Sequence, residues 1–69
     1  MLTELWESDP FTERRSSVIE ALDTDYRWEK GDVFVHSRGG RRDQFRVISV
    51  VVDISDDGLK RQVLALRLE

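Results

Sequence analysis

The ten residues Phe45-Arg-Val-Ile-Ser-Val-Val-Val-Asp-Ile54 constrain this chain more than any others. Six of them are β-branched, and such side chains favour extended backbone, where they pack on a pleated surface. The segment reads as a long strand. Its side chains alternate between two faces: Phe45, Val47 and Val51 fall on one, and Ile48, Val50 and Val52 on the other. Both faces are apolar, so the fold has to dry this sheet from two sides.

The means for doing so are few. Sixty-nine residues make a single domain spanning 1–69, and a chain of that length buries only about 60% of the surface its unfolded form exposes. There is no cysteine, so no disulfide staples it, and His36 is the single histidine. No metal site and no cofactor are expected. The longest uninterrupted Val/Ile run, Val50-Val51-Val52, is far too short to span a membrane, and no basic-then-apolar signal segment opens the sequence. The reading is a soluble, cytoplasmic protein. The closing Leu68-Glu69 is also the dipeptide that a cloning site leaves beside a purification tag; if it is such a scar, it belongs to no natural surface.

The front half carries helical signals. Asp9-Pro10 suits a helix start, with Asp as the N-cap and Pro in the first turn. Phe11, Val18, Ile19 and Leu22 then share one side at 3.6-residue spacing, and Asp23-Thr24-Asp25 supplies a stop. The spacing predicts a helix from about Pro10 to Leu22. Leu2, Leu5 and Trp6 keep helical spacing over one further turn. Downstream, strands are expected at Val33–Ser37, Phe45–Ile54 and Arg61–Leu68, with turns at Gly39-Gly40 and Asp57-Gly58. Tyr26–Trp28 would add a short fourth strand. The expected fold is α+β: an N-terminal helix packed on a three-stranded antiparallel meander, with a curled, SH3-like barrel as its variant.

Register decides which residues are inside. A two-residue Gly39-Gly40 loop sets Phe34 opposite Phe45 and His36 opposite Asp43, both favourable cross-strand pairs. For the second hairpin, a three-residue Asp56-Asp57-Gly58 loop gathers Leu64 and Leu66 with Ile48, Val50 and Val52. Together with Val33 and Val35 that set is the expected core face, under the helix. The other face would hold Phe34, Phe45, Val47, Val51 and Val63 among polar residues. One helix cannot cover both, so this second face is expected to meet the N-terminal segment or another chain.

Function follows from that expectation. Catalysis is not expected: no nucleophile–base–orienter set and no glycine-rich phosphate loop leading into a helix are present, and so small a domain offers little room to enclose a substrate. The reading is a non-enzymatic protein-interaction module that binds a protein partner or a second copy of itself, with no small-molecule substrate. Phe34, Phe45, Val47, Val51 and Val63, or Trp6 and Trp28, would carry the contact, since aromatic residues dominate interface hot spots. The alternative is nucleic-acid binding through Arg38, Arg41, Arg42 and Arg46, which crown a hairpin tip. The charge distribution is uneven: nine acids against four bases up to Asp32, five acids against seven bases beyond it. Yet the whole chain carries −3, whereas domains that bind nucleic acid are usually basic.

Overall fold

A computed structural model describes every residue from Met1 to Glu69. The protein is all-β. Five strands, β1 (Leu2–Ser8), β2 (Arg15–Asp23), β3 (Val33–Arg38), β4 (Arg41–Ser55) and β5 (Gly58–Leu68), form one sheet in the order β2-β1-β5-β4-β3. Neighbours are antiparallel except β1 and β5, which run parallel. The sheet curls into a half-barrel with a concave, core-bearing side and a convex side.

The expected N-terminal helix is absent, and with it the α+β class. Its start signal is nevertheless real. The Asp9 carboxylate accepts the N–H groups of Phe11 (2.8 Å) and Thr12 (3.2 Å), and the Asp9 carbonyl accepts the N–H of Glu13 at 2.9 Å. That makes one capped turn. Glu13 then takes a left-handed φ of 56°, a conformation that ends a helix, and the chain reverses into β2. Two facts explain why propagation fails. Phe11, at the head of the apolar stripe, is 93% exposed, so the stripe has no anchor. The segment from Arg15 to Ile19 contains two serines, Ser16 and Ser17, and two β-branched residues, Val18 and Ile19. These favour helix poorly, whereas pairing with β1 satisfies their backbone. Leu2, Leu5 and Trp6 belong to strand β1, not to a helical turn, and Tyr26–Trp28 lies in a loop rather than a fourth strand of the meander.

The three downstream strands form, longer than the sequence suggests. The Gly39-Gly40 turn sets Phe34 opposite Phe45 and His36 opposite Asp43. The second hairpin differs from its expected register. Its loop is Asp56-Asp57, with Ser55 opposite Gly58, and the β4–β5 ladder slips at Ile48, so that Val47 faces Ala65 while Ser49 faces Leu64. This β-bulge is the decisive irregularity: an extra residue flips the side-chain alternation, so Val47 and Val50 point to the same side.

The faces are therefore exchanged in part. Phe45, Val47 and Val63, expected on the partner-binding face, are buried together with Leu5 and Ala65. Leu5, Val47 and Val63 form the central cluster, and Ile19, Leu22, Trp28, Phe34 and Val50 pack around it. Of the set expected in the core, Val50 keeps its place against the cluster, but Val33, Val35 and Val52 are exposed, and Ile48, Leu64 and Leu66 only half-buried. One end of the concave side is closed by the loop after β2. There Trp28 meets Phe34 and Tyr26 edge-on, with ring centroids 5.2 and 4.8 Å apart. Arg61 Nη2 donates to the Thr24 carbonyl at 2.8 Å. Trp28 Nε1 and Arg61 Nε are buried without a partner, a local cost that the aromatic packing offsets.

Phe45→Ala is expected to lower stability by about 3–5 kcal/mol in urea unfolding, while Phe11→Ala changes it by less than about 0.5 kcal/mol. A large Phe11 effect would restore the helix stripe and contradict this fold.

Candidate functional site

At the mouth of the concave side the charged residues are paired. β2 and β3 are the sheet's two edges, and Glu20 of β2 spans the gap between them. Its carboxylate accepts Arg38 Nε and Nη2 at 2.9 and 2.7 Å and the Nε2–H of His36 at 2.9 Å. Bidentate guanidinium–carboxylate geometry gives both strength and direction. His36 faces Asp43 across the ladder, yet the carboxylate it bonds is Glu20, from a strand distant in the sheet. Deeper along the mouth, Arg67 donates to Glu7 at 2.9 and 3.2 Å and pairs with Asp43 at 2.7 Å, with its guanidinium 5.1 Å from the Phe45 ring centroid. The Glu7 hydrogen bonds, then those of Asp43, push the Arg67 pKa further up. Asp43 also holds Arg41 at 3.8 Å. No group of three or more histidine, cysteine or carboxylate side chains is placed to hold a metal ion.

On the convex side a cleft of about 480 Å³ opens between the β1–β2 turn and the sheet. Trp6, Val51 and Leu64 form its floor, and Glu13, Arg14 and Arg15 its rim. Trp6 lies on β1 beside Leu64 of β5 and is fixed by its Nε1–H, which donates to Glu4 at 3.3 Å. Glu4 also accepts Gln62 Nε2 at 3.0 Å and lies 3.7 Å from Lys60. Gln62, then Trp6, hold the Glu4 carboxyl below its ordinary pKa. The Arg15 guanidinium sits 5.0 Å from the Trp6 ring centroid, a cation–π contact. Neither Arg14 nor Arg15 has an ion-pair partner, and neither do Arg42 and Arg46, whose alternation on β4 also turns them to the convex side.

The residues singled out in the sequence thus scatter. Phe45, Val47 and Val63 are core, with Phe34 stacked on Phe45 at 5.3 Å and Trp28 beside it. Trp6 and Val51 meet in the cleft. Of the four hairpin arginines, Arg38 and Arg41 are tied to carboxylates, and Arg42 and Arg46 stay free. Arg14 and Arg15 do not stand out in the sequence, because a helix there would put them on its polar side. The run Glu13-Arg14-Arg15 after an Asp-Pro turn is their only signal. Comparison with known proteins gives no match: no family model fits the chain, no curated protein aligns with it and no solved structure resembles it.

Glu20 makes the edge-to-edge bridge testable. Arg38, then His36, hold its carboxyl down at about 2, against an ordinary value of 4.5. A lowered pKa in the folded state means that the stabilisation is complete above the ordinary value and disappears as pH falls toward the folded one. Wild-type protein should lose stability between about pH 4.5 and pH 2, and Glu20→Gln, with no carboxyl to protonate, should lose distinctly less over that window. Equal acid slopes for the two proteins would contradict the bridge.

Proposed function

We propose that the chain is a non-enzymatic protein-interaction module whose convex cleft takes a short acidic segment of another protein, carrying an apolar side chain onto Trp6. One observation carries this reading: Arg38, Arg41 and Arg67 at the concave mouth are held by carboxylates, whereas Arg14 and Arg15 border an apolar floor without an ion-pair partner, Glu13 being the one acid that lines the cleft with them. An unpaired guanidinium beside a half-buried tryptophan is the composition that hot spots use, and a carboxylate from a partner would complete both the charge and the planar hydrogen-bonding geometry. The polar groups of the cleft besides its charged rim are Ser49 and Gln62, with no base beside the serine, which supports binding rather than turnover. The absence of cysteine suits a reducing compartment, and we place the module in the cytoplasm. No helix is long and apolar enough to cross a membrane.

Nucleic acid is the second reading, because Arg42 and Arg46 also face the convex side unpaired. It is weakened by the loss of Arg38 and Arg41 to Glu20 and Asp43, and by the burial of Phe45, which leaves the hairpin without a ring on which a base would stack.

Selection from a random-peptide library, followed by calorimetry on the enriched peptides, tests the proposal. Enriched sequences should combine Asp or Glu with an aromatic or aliphatic residue, and Trp6→Ala and Arg15→Glu should each weaken binding by about tenfold or more. Peptides that bind Trp6→Ala as well as wild type would dismiss the cleft. Mixed oligonucleotides that shift in a gel at about 50 mM salt and are released by about 200 mM would favour the second reading instead.

A further inference from the structure

β4 is longer than the strand beside it. β3 pairs with Arg41–Arg46 only, and Val47 exchanges hydrogen bonds of 2.8 Å with Gly31 and Asp32. Beyond the Ile48 bulge, Ser49–Ser55 pairs with β5 on one edge and with nothing on the other: no backbone or side-chain hydrogen bond reaches that second edge.

The direction of its backbone groups follows from the turn. In a two-residue hairpin the flanking residues point their N–H and C=O groups at each other, so Ser55, and by alternation Asp53, Val51 and Ser49, bond β5. Val50, Val52 and Ile54 point theirs outward. Val47, counted from the opposite end, agrees: its groups face away from β5, and the extra residue at Ile48 restores the outward phase at Val50.

This edge lacks the usual protection. Strand edges open to water normally carry lysine, proline or several charges, and the edges of β2 and β3 are bridged by Glu20, His36 and Arg38. Ser49–Ser55 contains one charge, Asp53, and exposes Val51 (51%), Val52 (51%) and Ile54 (79%).

We infer that two copies of the chain join through this edge, β4 against β4 in antiparallel register, with the two-fold axis at Val52. The second copy is singled out by self-complementarity. The free stretch runs from the bulge to the turn, and its midpoint is Val52, so a two-fold axis there pairs all of it. Val52 then exchanges hydrogen bonds with its own counterpart, and Val50 does so with Ile54 of the other copy, twice by symmetry. Every outward group is satisfied, and the side chains facing each other in those pairs are all aliphatic. Asp53 falls opposite Val51, which keeps the two aspartates apart. The Asp56-Asp57 turn of each copy stops at the level of Val47, beside the Lys30-Gly31 turn of the other, where Lys30 offers an opposite charge. A contact in which the same patch meets itself closes at two subunits. It shares Ser49 and Val51 with the peptide cleft but does not depend on it.

Sedimentation velocity on the full chain from about 5 to about 500 µM, the range suited to a small interface, is the test. A monomer–dimer equilibrium is expected. Val52→Pro deletes the central outward N–H without touching the β5 ladder, and Val52→Lys keeps the backbone while placing two like charges face to face; each should raise the dimer Kd by about two orders of magnitude. Hydrogen exchange should protect the amides of Val50, Val52 and Ile54 more strongly as concentration rises, with the remaining strand amides unchanged. A wild-type chain that stays monomeric throughout overturns the inference, as does a dimer that both variants preserve, or growth beyond two copies.

Discussion

Leu5 and Val63 lie side by side in the one parallel ladder of this sheet, and the rest of the molecule hangs on that pairing. β1 and β2 form one antiparallel hairpin; β3, β4 and β5 form a meander. A two-stranded hairpin alone is marginal in water, and the meander alone has too little apolar surface to close. Setting β1 along β5 joins them. The central cluster then takes one residue from each of β1, β4 and β5, namely Leu5, Val47 and Val63. A sheet of this size dries its concave side by curling, with no helix laid over it.

The bulge at Ile48 decides what each side of the sheet becomes. It brings Phe45, Val47 and Val50 to the concave side in spite of their uneven spacing, and it leaves Ser49 and Val51 on the convex side with Trp6 and Leu64. The edge from Ser49 to Ser55 lies beyond it, past the start of β3 at Val33, which pairs with Arg46. Charge follows the same division. Glu7, Glu20 and Asp43 meet Arg38, Arg41 and Arg67 at the concave mouth, while the convex arginines stay unpaired. The concave side holds the fold together, and the convex side and the free edge are left open.

Much of the β3–β4 hairpin is legible in the sequence. Gly39-Gly40 permits only a tight turn, with φ values of 58° and 80°, and a two-residue turn fixes Phe34 against Phe45. The second hairpin is not legible to the same depth. Asp56-Asp57-Gly58 offers several loops, and no residue type marks Ile48 as an extra member of the strand. The slip there carries Phe45, Val47, Val63 and Ala65 into the core, while Val50 keeps the side expected of it and Val51 stays outside. Asp9-Pro10 does form the cap that its residues imply, but not the start of a long helix. Capping is a local property, whereas the left-handed turn at Glu13 and the pairing of β2 with β1 depend on partners far along the chain. β1 is obscured for a simpler reason: its inward residues include Thr3, buried yet polar, so the alternation that marks a strand is broken. Of the candidate site, Trp6 is visible as a large aromatic residue, but its neighbours Arg14, Arg15 and Leu64 come from a turn and two further strands that only the topology brings together.

The pairing of β1 with β5 is open to direct measurement by nuclear Overhauser contacts in solution. Cross-strand contacts between the backbone protons around Leu5 and those around Val63, together with extended-strand couplings from Arg15 to Asp23, are the predicted result. Strong sequential amide–amide contacts running from Phe11 to Leu22, with none between the Leu5 and Val63 neighbourhoods, would contradict it.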